Sequence, residues 1–449
     1  MRRVFDEQIY LNFSEETSLK VVQEYRAKYA WIDECLEANP LILWLVHEDL
    51  EALSQSQEGR EAKYTTEILF RALLVHQIER TSLRETVIRI AESSTLQSFL
   101  RLGTRSVPDF TFLNRAFKAM TAETWKLINE QLAHYAVKRC EMDVSQIRAD
   151  TTVIEANIHY PTDSSLLWDS YRVLSRLLRA VRTEAPALCP HRFHDKKAKK
   201  DLVYVHRSVR SKVKARQRAW KRRFRRLHDR VCRLERIAAS LLKPLAASDN
   251  FVLRGLGAEL KHYLPLVRKI CRTAERATLK GETVPARDRI FSLFEEHTEL
   301  IKRGKSNQPI EFGHAVWLAQ SRGKFITDYE VMAEKIPDSE LLREITERHK
   351  AAFRHYPEAV TADTGFRAVP EEMSTVHKHV ATVAVPGRGQ NRAKIDTCWH
   401  HFRAGIEGSI SVLKRAFRLS ICMYRGFRSF AAAVGMAVFC HNLVNLMPK

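Results

Sequence analysis

The chain has 449 residues, 45% of them hydrophobic, and is long enough to bury more than one core. Its 74 lysines and arginines against 53 acids give a net charge of +21, which predicts a polyanionic partner, with nucleic acid first among the candidates. Eight scattered cysteines without a CxxC pair, and an N-terminus without an apolar run, disfavour a disulfide framework and a secretion signal. A merely basic soluble protein is the alternative.

The first part of the chain, residues 1–140, predicts amphipathic helices. Four short helices follow one another between Thr65 and Met120, and the second begins at the capping box Ser82-Leu83-Arg84-Glu85. Short helices with abrupt starts are typical of helix-turn-helix modules, and arginines among them suit phosphate contacts. We predict DNA binding here through Arg84 and Arg89. A small helical bundle that only packs on the core is the alternative.

Three carboxylates lie on elements that can bring them together. Asp150 is in the middle of the predicted strand Ile147–Ala156, where a carboxylate is costly unless a cation or hydrogen-bond donors meet it. Asp363 ends a short apolar strand, and Glu407 lies on the predicted helix Phe402–Lys414. Such acids can converge on a pair of divalent metals, and hard oxygen ligands select Mg²⁺ or Mn²⁺.

A basic helical insertion, residues 166–290, follows the first strand. Its centre, Arg207–Arg236, holds fourteen lysines or arginines among thirty residues, against two acids. One-signed charge repels itself without a counter-anion, so we predict a surface for the DNA backbone. The phosphate contacts expected here are Lys221, Arg222, Arg223, Arg225 and Arg226. Apolar spacing also predicts one long helix with a single seam, formed by Val209, Val213, Trp220, Phe224, Leu227, Val231 and Leu234.

Two alternatives apply to this insertion. Its seam also suits a coiled-coil arm for dimerisation, and both roles are compatible. The insertion contains four soft-metal ligand types at irregular spacing, which disfavours a zinc site. These residues are Cys189, His191, His194 and His206.

Strand patterns return after the insertion. Ile310–Ala319 and Lys324–Met332 predict a hairpin with a glycine turn, and a helix carrying Leu341 to Phe353 follows. Thr382–Val385 predicts a further strand, followed by a basic loop at residues 386–389 that suits either a DNA contact or an ordinary turn. Phe427–Leu446 is the most apolar stretch, but its polar residues favour a buried helix over a membrane span.

The three acid-containing blocks resemble those of the DDE transposases of bacterial insertion sequences, of the ISNCY-like group. The Asp150 strand is followed by Pro161-Thr162-Asp163-Ser164, and Asp363 lies in Thr361-Ala362-Asp363-Thr364-Gly365-Phe366. The last block fits the family pattern Y-x2-R-x3-E-x6-K through His400, Arg403, Glu407 and Lys414. His400 occupies the position where the family has tyrosine. The family role of the tyrosine hydroxyl therefore does not carry over to this chain, whereas the role of Glu407 is unaffected.

The resemblance implies a fold of mixed α+β or α/β type with a ribonuclease-H-like mixed sheet. The expected parts are an N-terminal helical DNA-binding domain at 1–140, a catalytic core at 141–165 and 291–449, and the insertion at 166–290 between the first and second core strands.

The resemblance also implies an activity, metal-dependent DNA strand cleavage at element ends and strand transfer into target DNA. Asp150, Asp363 and Glu407 would bind two Mg²⁺ (or Mn²⁺) ions. Phosphate-holding residues near the scissile bond would be Arg403, Lys414 and Arg415. The expected partners are terminal inverted repeats, target DNA and a second copy in a synaptic homodimer. We expect a cytoplasmic, nucleoid-associated bacterial protein that does not bind a membrane.

Three alternatives remain open at this point. Asp163 is the best substitute if one ligand is misplaced, although a turn cap suits it better. A structural Arg403–Glu407 pair would produce the same helical spacing as a catalytic glutamate. The whole protein could also be a catalytically inactive domesticated DNA-binding protein or a structure-selective nuclease with the same core.

Overall fold

The computed structural model describes residues 2–5, 18–53, 62–139, 142–302, 309–387 and 397–448. The chain divides into two compact units: Met1–Asn157 with Gly313–Lys449, and Ile158–Phe312. The N-terminal helices and most of the sheet share the first unit, so their separation into two domains stays a prediction. Arg388 and Gly389 of the predicted basic loop lie outside the described residues, as do residues 140 and 141 at the predicted domain boundary.

Helices make up most of the described chain. They are α1 (Lys20–Glu37), α2 (Pro40–Glu51), α3 (Thr66–Ile78), α4 (Leu83–Glu92), α5 (Ser94–Phe99), α6 (Phe110–Ala119), α7 (Ala122–Lys138), α8 (Asp163–Glu184), α9 (Asp195–Ser208), α10 (Lys214–Ala246), α11 (Phe251–Ala274), α12 (Leu341–Phe353), α13 (Pro370–His377), α14 (Thr397–Ala416) and α15 (Phe427–Asn445). The predicted start of the second short helix is confirmed, because the Ser82 side chain accepts from the Glu85 amide. The Ser93 and Asp109 side chains cap α5 and α6 in the same way.

One mixed sheet accompanies these helices, so the mixed α and β class is confirmed. Its strands are β1 (Gln146–Ala156), β2 (Glu299–Lys302), β3 (Ile310–Ser321), β4 (Ile326–Val331), β5 (Ala359–Thr361), β6 (Thr382–Ala384) and β7 (Ile421–Cys422). The order is β2-β3-β1-β5-β6, with β4 also beside β3 and β7 also beside β1. The predicted hairpin is β3 and β4, which pair antiparallel. β3 is antiparallel to β1, whereas β5 and β7 are parallel to β1 and β6 is parallel to β5.

The apolar helix α15 lies in the core of the first unit. By length and composition α15 could cross a membrane, but 78% of its apolar window is buried inside the protein, which is typical of a core helix. A Cβ built on Gly435 would come within 2.4 Å of Trp125 Cβ, so only glycine permits this close crossing of α15 and α7. Asn442 accepts from the Ile326 amide and donates to the Ile326 carbonyl, which fixes α15 to the start of β4.

The second unit is mainly a bundle in which α8, α9, α10 and α11 pack around one apolar core. The predicted single long helix is wrong at its start: α9 ends at Ser208, the chain turns, and α10 begins at Lys214. The seam residues Val209 and Val213 are therefore exposed, whereas the later seam residues Phe224, Leu227, Val231 and Leu234 are buried. The break occurs because α9 packs against α10, which requires the chain to reverse. The buried part of the seam is thus covered within the chain and is not available to a coiled-coil partner.

Candidate active site and basic surfaces

Asp150 lies on the central strand β1, next to the helix that carries Glu407. Side chains alternate between the two faces of a strand, so Arg148 and Asp150 share one face of β1. Helix α14 packs against β1. The Arg148 guanidinium donates from Nη1 to the Phe402 carbonyl at 2.6 Å and lies over the Phe402 ring. The face that carries Asp150 is therefore the face that α14 covers.

Two further contacts hold α14 in place. Gln320, the partner of Arg148 in the β1–β3 ladder, accepts from Arg148 Nε at 2.8 Å and donates to Ser409 Oγ at 2.6 Å. A Cβ built on Gly405 would lie 2.0 Å from Arg148 Nη1, so the guanidinium occupies the space above this glycine. Burial lowers the pKa of Arg148 to about 10, and its hydrogen bonds to neutral acceptors offset part of the cost of burying the cation.

The parallel register of β1 and β5 places Asp363 beside Asp150. Arg148 pairs with Thr361, and each aspartate lies two residues beyond that pair on its own chain. Adjacent strands are about 4.8 Å apart, and side chains two residues apart on a strand point to the same face of the sheet. Asp363 keeps extended dihedral angles, and its Oδ1 accepts from the Gly365 amide at 2.8 Å, so the strand ends in a turn that its own carboxylate caps.

The charges of the two other acids act on the pKa of Asp150. Burial raises the pKa of Asp150 to about 6, and the charges of Asp363 and Glu407 contribute to the increase. The Thr151 amide, which donates to Asp150 Oδ1 at 2.7 Å, and the Arg403 charge act in the opposite direction. A divalent cation would relieve this repulsion, and hard carboxylate oxygens are the ligands that Mg²⁺ and Mn²⁺ prefer. The donor chemistry of these residues therefore fits the implied metals, but among the described residues the three carboxylates do not form a group whose ligand atoms all lie within 4.8 Å of one another.

Glu407 forms the ion pair that its spacing allowed. Arg403 Nη2 lies 2.8 Å from Glu407 Oε1, and the Glu407 side chain is 60% exposed. An exposed i,i+4 pair contributes little to stability, roughly 0.3–0.5 kcal/mol, so this contact does not prevent Glu407 from turning toward a metal. Lys414 is half-buried and Arg415 is exposed on the same helix.

A fourth acid, Asp338, lies at this site. A Cβ built on Gly365 would be 2.9 Å from Asp363 Oδ1 and 3.3 Å from Asp338 Oδ2, so the two carboxylates flank the glycine. Asp338 begins the short helical turn Asp338–Glu340 before α12. Its approach to Asp363 depends on tertiary packing, and we find no local signal that could have revealed it.

Asp163, the substitute ligand considered above, has partners within the second unit. It accepts from Thr278 Oγ1 at 2.6 Å and from Arg289 Nη1 at 3.3 Å. The helix cap itself is Thr162, which forms a capping box with Ser165. The prediction that Asp163 is the cap is wrong by one residue, and its engagement with Thr278 and Arg289 favours a structural role.

The basic run of α10 divides into exposed and internally paired residues. Lys221, Arg222, Arg225 and Arg226 are exposed. Arg223, also a predicted phosphate contact, instead lies 2.8 Å from the buried carboxylate of Asp201. Arg223 therefore shares the Asp201 carboxylate with Arg230 and is less available to a phosphate than the exposed residues of α10.

A basic cleft that sequence reasoning missed lies in the second unit, between α9 and the start of α10. Its volume is about 790 Å³, and its basic lining residues are Lys196, Lys199, Lys200, Arg207 and Arg216. The α9 lysines alone form an ordinary charged helix, and they become a concave site only because the chain reverses at residues 209–213.

The two arginines predicted on the N-terminal helices differ in their contacts. Arg84 is exposed, with its guanidinium 4.6 Å from the centre of the Phe110 ring. Arg89 is paired with Glu79 at 3.2 Å and with Glu85 at 3.1 Å, so a phosphate would compete with two carboxylates for it. Arg84 is the better supported contact of the two.

In comparisons with known proteins, no protein-family model, no curated protein and no solved structure matches this chain.

Proposed function

We propose that this protein is a DDE transposase that cleaves DNA at the ends of an insertion element and joins them to target DNA. The observation that carries the proposal is the register of β1 and β5, which sets Asp150 beside Asp363 while the charge of Glu407 on α14 acts on Asp150. The order of strand, insertion, hairpin, helix and strand supports the finer proposal of a ribonuclease-H-like core.

Asp150, Asp363 and Glu407 would hold two Mg²⁺ or Mn²⁺ ions. When bound, such ions activate a water and stabilise the leaving 3′-oxygen of a phosphodiester. Arg148 and Gln320 position α14, and Arg403 balances the carboxylate charge until DNA arrives. In this proposal no Tyr or Ser nucleophile acts, and the freed 3′-hydroxyl attacks the target strand.

DNA binding in this proposal uses the exposed cations of the second unit. Lys221, Arg222, Arg225 and Arg226 would contact phosphates along α10, and the α9–α10 cleft would hold a further stretch of backbone. A net charge of +21 provides the attraction at longer range. We further propose a cytoplasmic protein that acts as a homodimer and holds two terminal inverted repeats in one synaptic assembly.

The test uses purified protein, Mg²⁺ and DNA that carries the sequences flanking the gene. We expect cleaved ends and products joined to a second DNA, and both should disappear in Asp363→Ala while DNA binding persists. Cleavage without joining would favour a structure-selective nuclease. Binding without cleavage would favour a DNA-binding protein that lacks catalysis, and full cleavage by Asp363→Ala would refute the assignment of the site.

A further inference from the structure

Two cysteines and a histidine meet inside the second unit, and none of them belongs to the group whose irregular spacing disfavoured a zinc site in the sequence. His228 and Cys232 lie one helical turn apart on α10, and Cys271 lies on the neighbouring helix α11. One ligand atom from each residue lies within 4.8 Å of the others. Among the described residues, no other group of three or more His, Cys, Asp or Glu side chains has its ligand atoms all within 4.8 Å of one another.

The surroundings of this cluster suit a metal rather than a random contact. His228 and Cys271 are buried, and Cys232 is half-buried, so one side stays open to solvent. Cys232 Sγ lies 3.6 Å from His228 Nε2 and 3.8 Å from Nδ1, and Nε2 is also 3.2 Å from the Cys271 carbonyl. A metal bound at Nε2 would replace the contact with that carbonyl and leave Nδ1 facing the Asp229 carboxylate at 3.6 Å. A carboxylate behind the second imidazole nitrogen is the usual partner of a metal-bound histidine.

The chemistry of the three side chains selects the metal. Thiolate and imidazole ligands favour zinc over Mg²⁺ or Ca²⁺. A tetrahedral zinc ion with Zn–S bonds of about 2.3 Å holds two sulfurs about 3.8 Å apart. The ligand atoms of the cluster all lie within 4.8 Å of one another, so the two sulfurs are at most about 1 Å too far apart. Small side-chain rotations therefore suffice to form the site.

We propose that His228, Cys232 and Cys271 bind one Zn²⁺ ion that links α10 to α11. The fourth position would face solvent beside Cys232. Because α10 carries the exposed basic residues, the ion would stiffen the helix that presents them. The proposal depends only on the bundle and does not depend on the transposase assignment.

The test is a Co²⁺ titration of the untagged, reduced full-length protein. Thiolate–cobalt bonds give a sulfur-to-cobalt charge-transfer band, whereas cobalt at the carboxylate site gives none. We expect the band to saturate at one equivalent and to disappear on Zn²⁺ addition. It should be lost in Cys232→Ser and Cys271→Ser and retained in Cys189→Ser, which changes a buried cysteine of the same unit outside the cluster.

A second measurement needs no variant and so decides the matter if the serine variants misfold. Zn²⁺ should protect Cys232 and Cys271, but not the exposed Cys398, from alkylation measured by mass spectrometry of the native protein. Absence of the band in the wild-type protein, or equal alkylation with and without Zn²⁺, would overturn the proposal. A Cys232–Cys271 disulfide with no metal binding after reduction would also overturn it and point to a redox site.

Discussion

Asp150 occupies the middle of a central strand, where an ionised carboxylate is costly. Burial and the neighbouring acids raise its pKa to about 6. A folded-state pKa above the unfolded value means that the unfolded chain holds fewer protons between about pH 4 and 6. The contribution of Asp150 to stability therefore falls as the pH rises through that window. Metal binding, which requires the ionised form, should weaken below about pH 6 for the same reason.

Asp150→Asn is expected to stabilise the metal-free protein at pH 8 while abolishing cleavage. The shift of about two pKa units corresponds to at most about 3 kcal/mol in the free energy of unfolding. The gain should vanish near pH 4, where Asp150 is protonated. Urea unfolding in EDTA at the two pH values measures it, with the exposed Asp143→Asn as the control. Loss of stability at pH 8 would contradict this account of Asp150.

Gly405 and Gly408 on α14 provide a matched pair of substitutions. A Cβ at position 405 would overlap the Arg148 guanidinium, whereas a Cβ at 408 meets nothing within 4 Å. Gly405→Ala should displace α14, lower stability by about 1–3 kcal/mol and reduce cleavage at least tenfold with DNA binding retained. Gly408→Ala should be neutral or slightly stabilising, because alanine is the better helix former. Identical thermal unfolding and cleavage rates for the two variants would show that Arg148 does not position α14.

At the scale of elements, the sequence predicts helices and strands from local patterns, but it does not predict how distant elements pair. The hairpin β3–β4, the helix α12 and the buried helix α15 could be predicted because apolar periodicity is a local property. The break between α9 and α10 was missed, because apolar spacing continues through Val209 and Val213 although both are exposed.

The candidate site could be predicted only in part. Asp150, Asp363 and Glu407 were identified from their blocks, but their mutual placement depends on parallel pairing of strands far apart in the chain. The approach of Asp338 to Asp363, and the meeting of Cys271 with α10, depend on tertiary packing in the same way. Internal ion pairs, such as Arg223 with Asp201, are equally invisible in a charge run.

The exposed residues of α10 should determine the salt dependence of DNA binding. Arg222 and Arg226 lie one turn apart and are both exposed. Their replacement by glutamate should weaken binding and flatten the plot of log K against log salt by about two units. Fluorescence anisotropy at several salt concentrations measures this slope. Arg254→Glu, an exposed change on α11, serves as the control, and an equal effect there would argue against a specific role for α10.

At the scale of the molecule, the second unit is inserted between two strands that are direct neighbours. Glu155 on β1 pairs with Gly313 on β3, and the whole unit Ile158–Phe312 lies between them in sequence. A short turn could close this antiparallel pair, because hairpin connections need only two to five residues. The arrangement explains how the acids can remain in one unit despite the long gap after Asp150.

Replacing residues 158–312 with a short hairpin loop should leave a folded first unit with greatly reduced affinity for DNA. Circular dichroism and a cooperative thermal transition would establish the fold, and anisotropy would measure the binding. A product without a cooperative transition would contradict the independence of the first unit. Unchanged DNA affinity would show that the main phosphate contacts lie in the first unit, where Arg84 is the best supported candidate.

Mg²⁺-dependent strand cleavage by Asp363→Asn, compared with the wild type and with Asp143→Asn, tests the central claim most directly. Asp143 is an exposed acid shortly before β1, and its variant controls for the loss of one negative charge. The account predicts cleavage by the wild type and by Asp143→Asn, and none above background by Asp363→Asn at equal DNA occupancy. Cleavage by Asp363→Asn at the wild-type rate would contradict it.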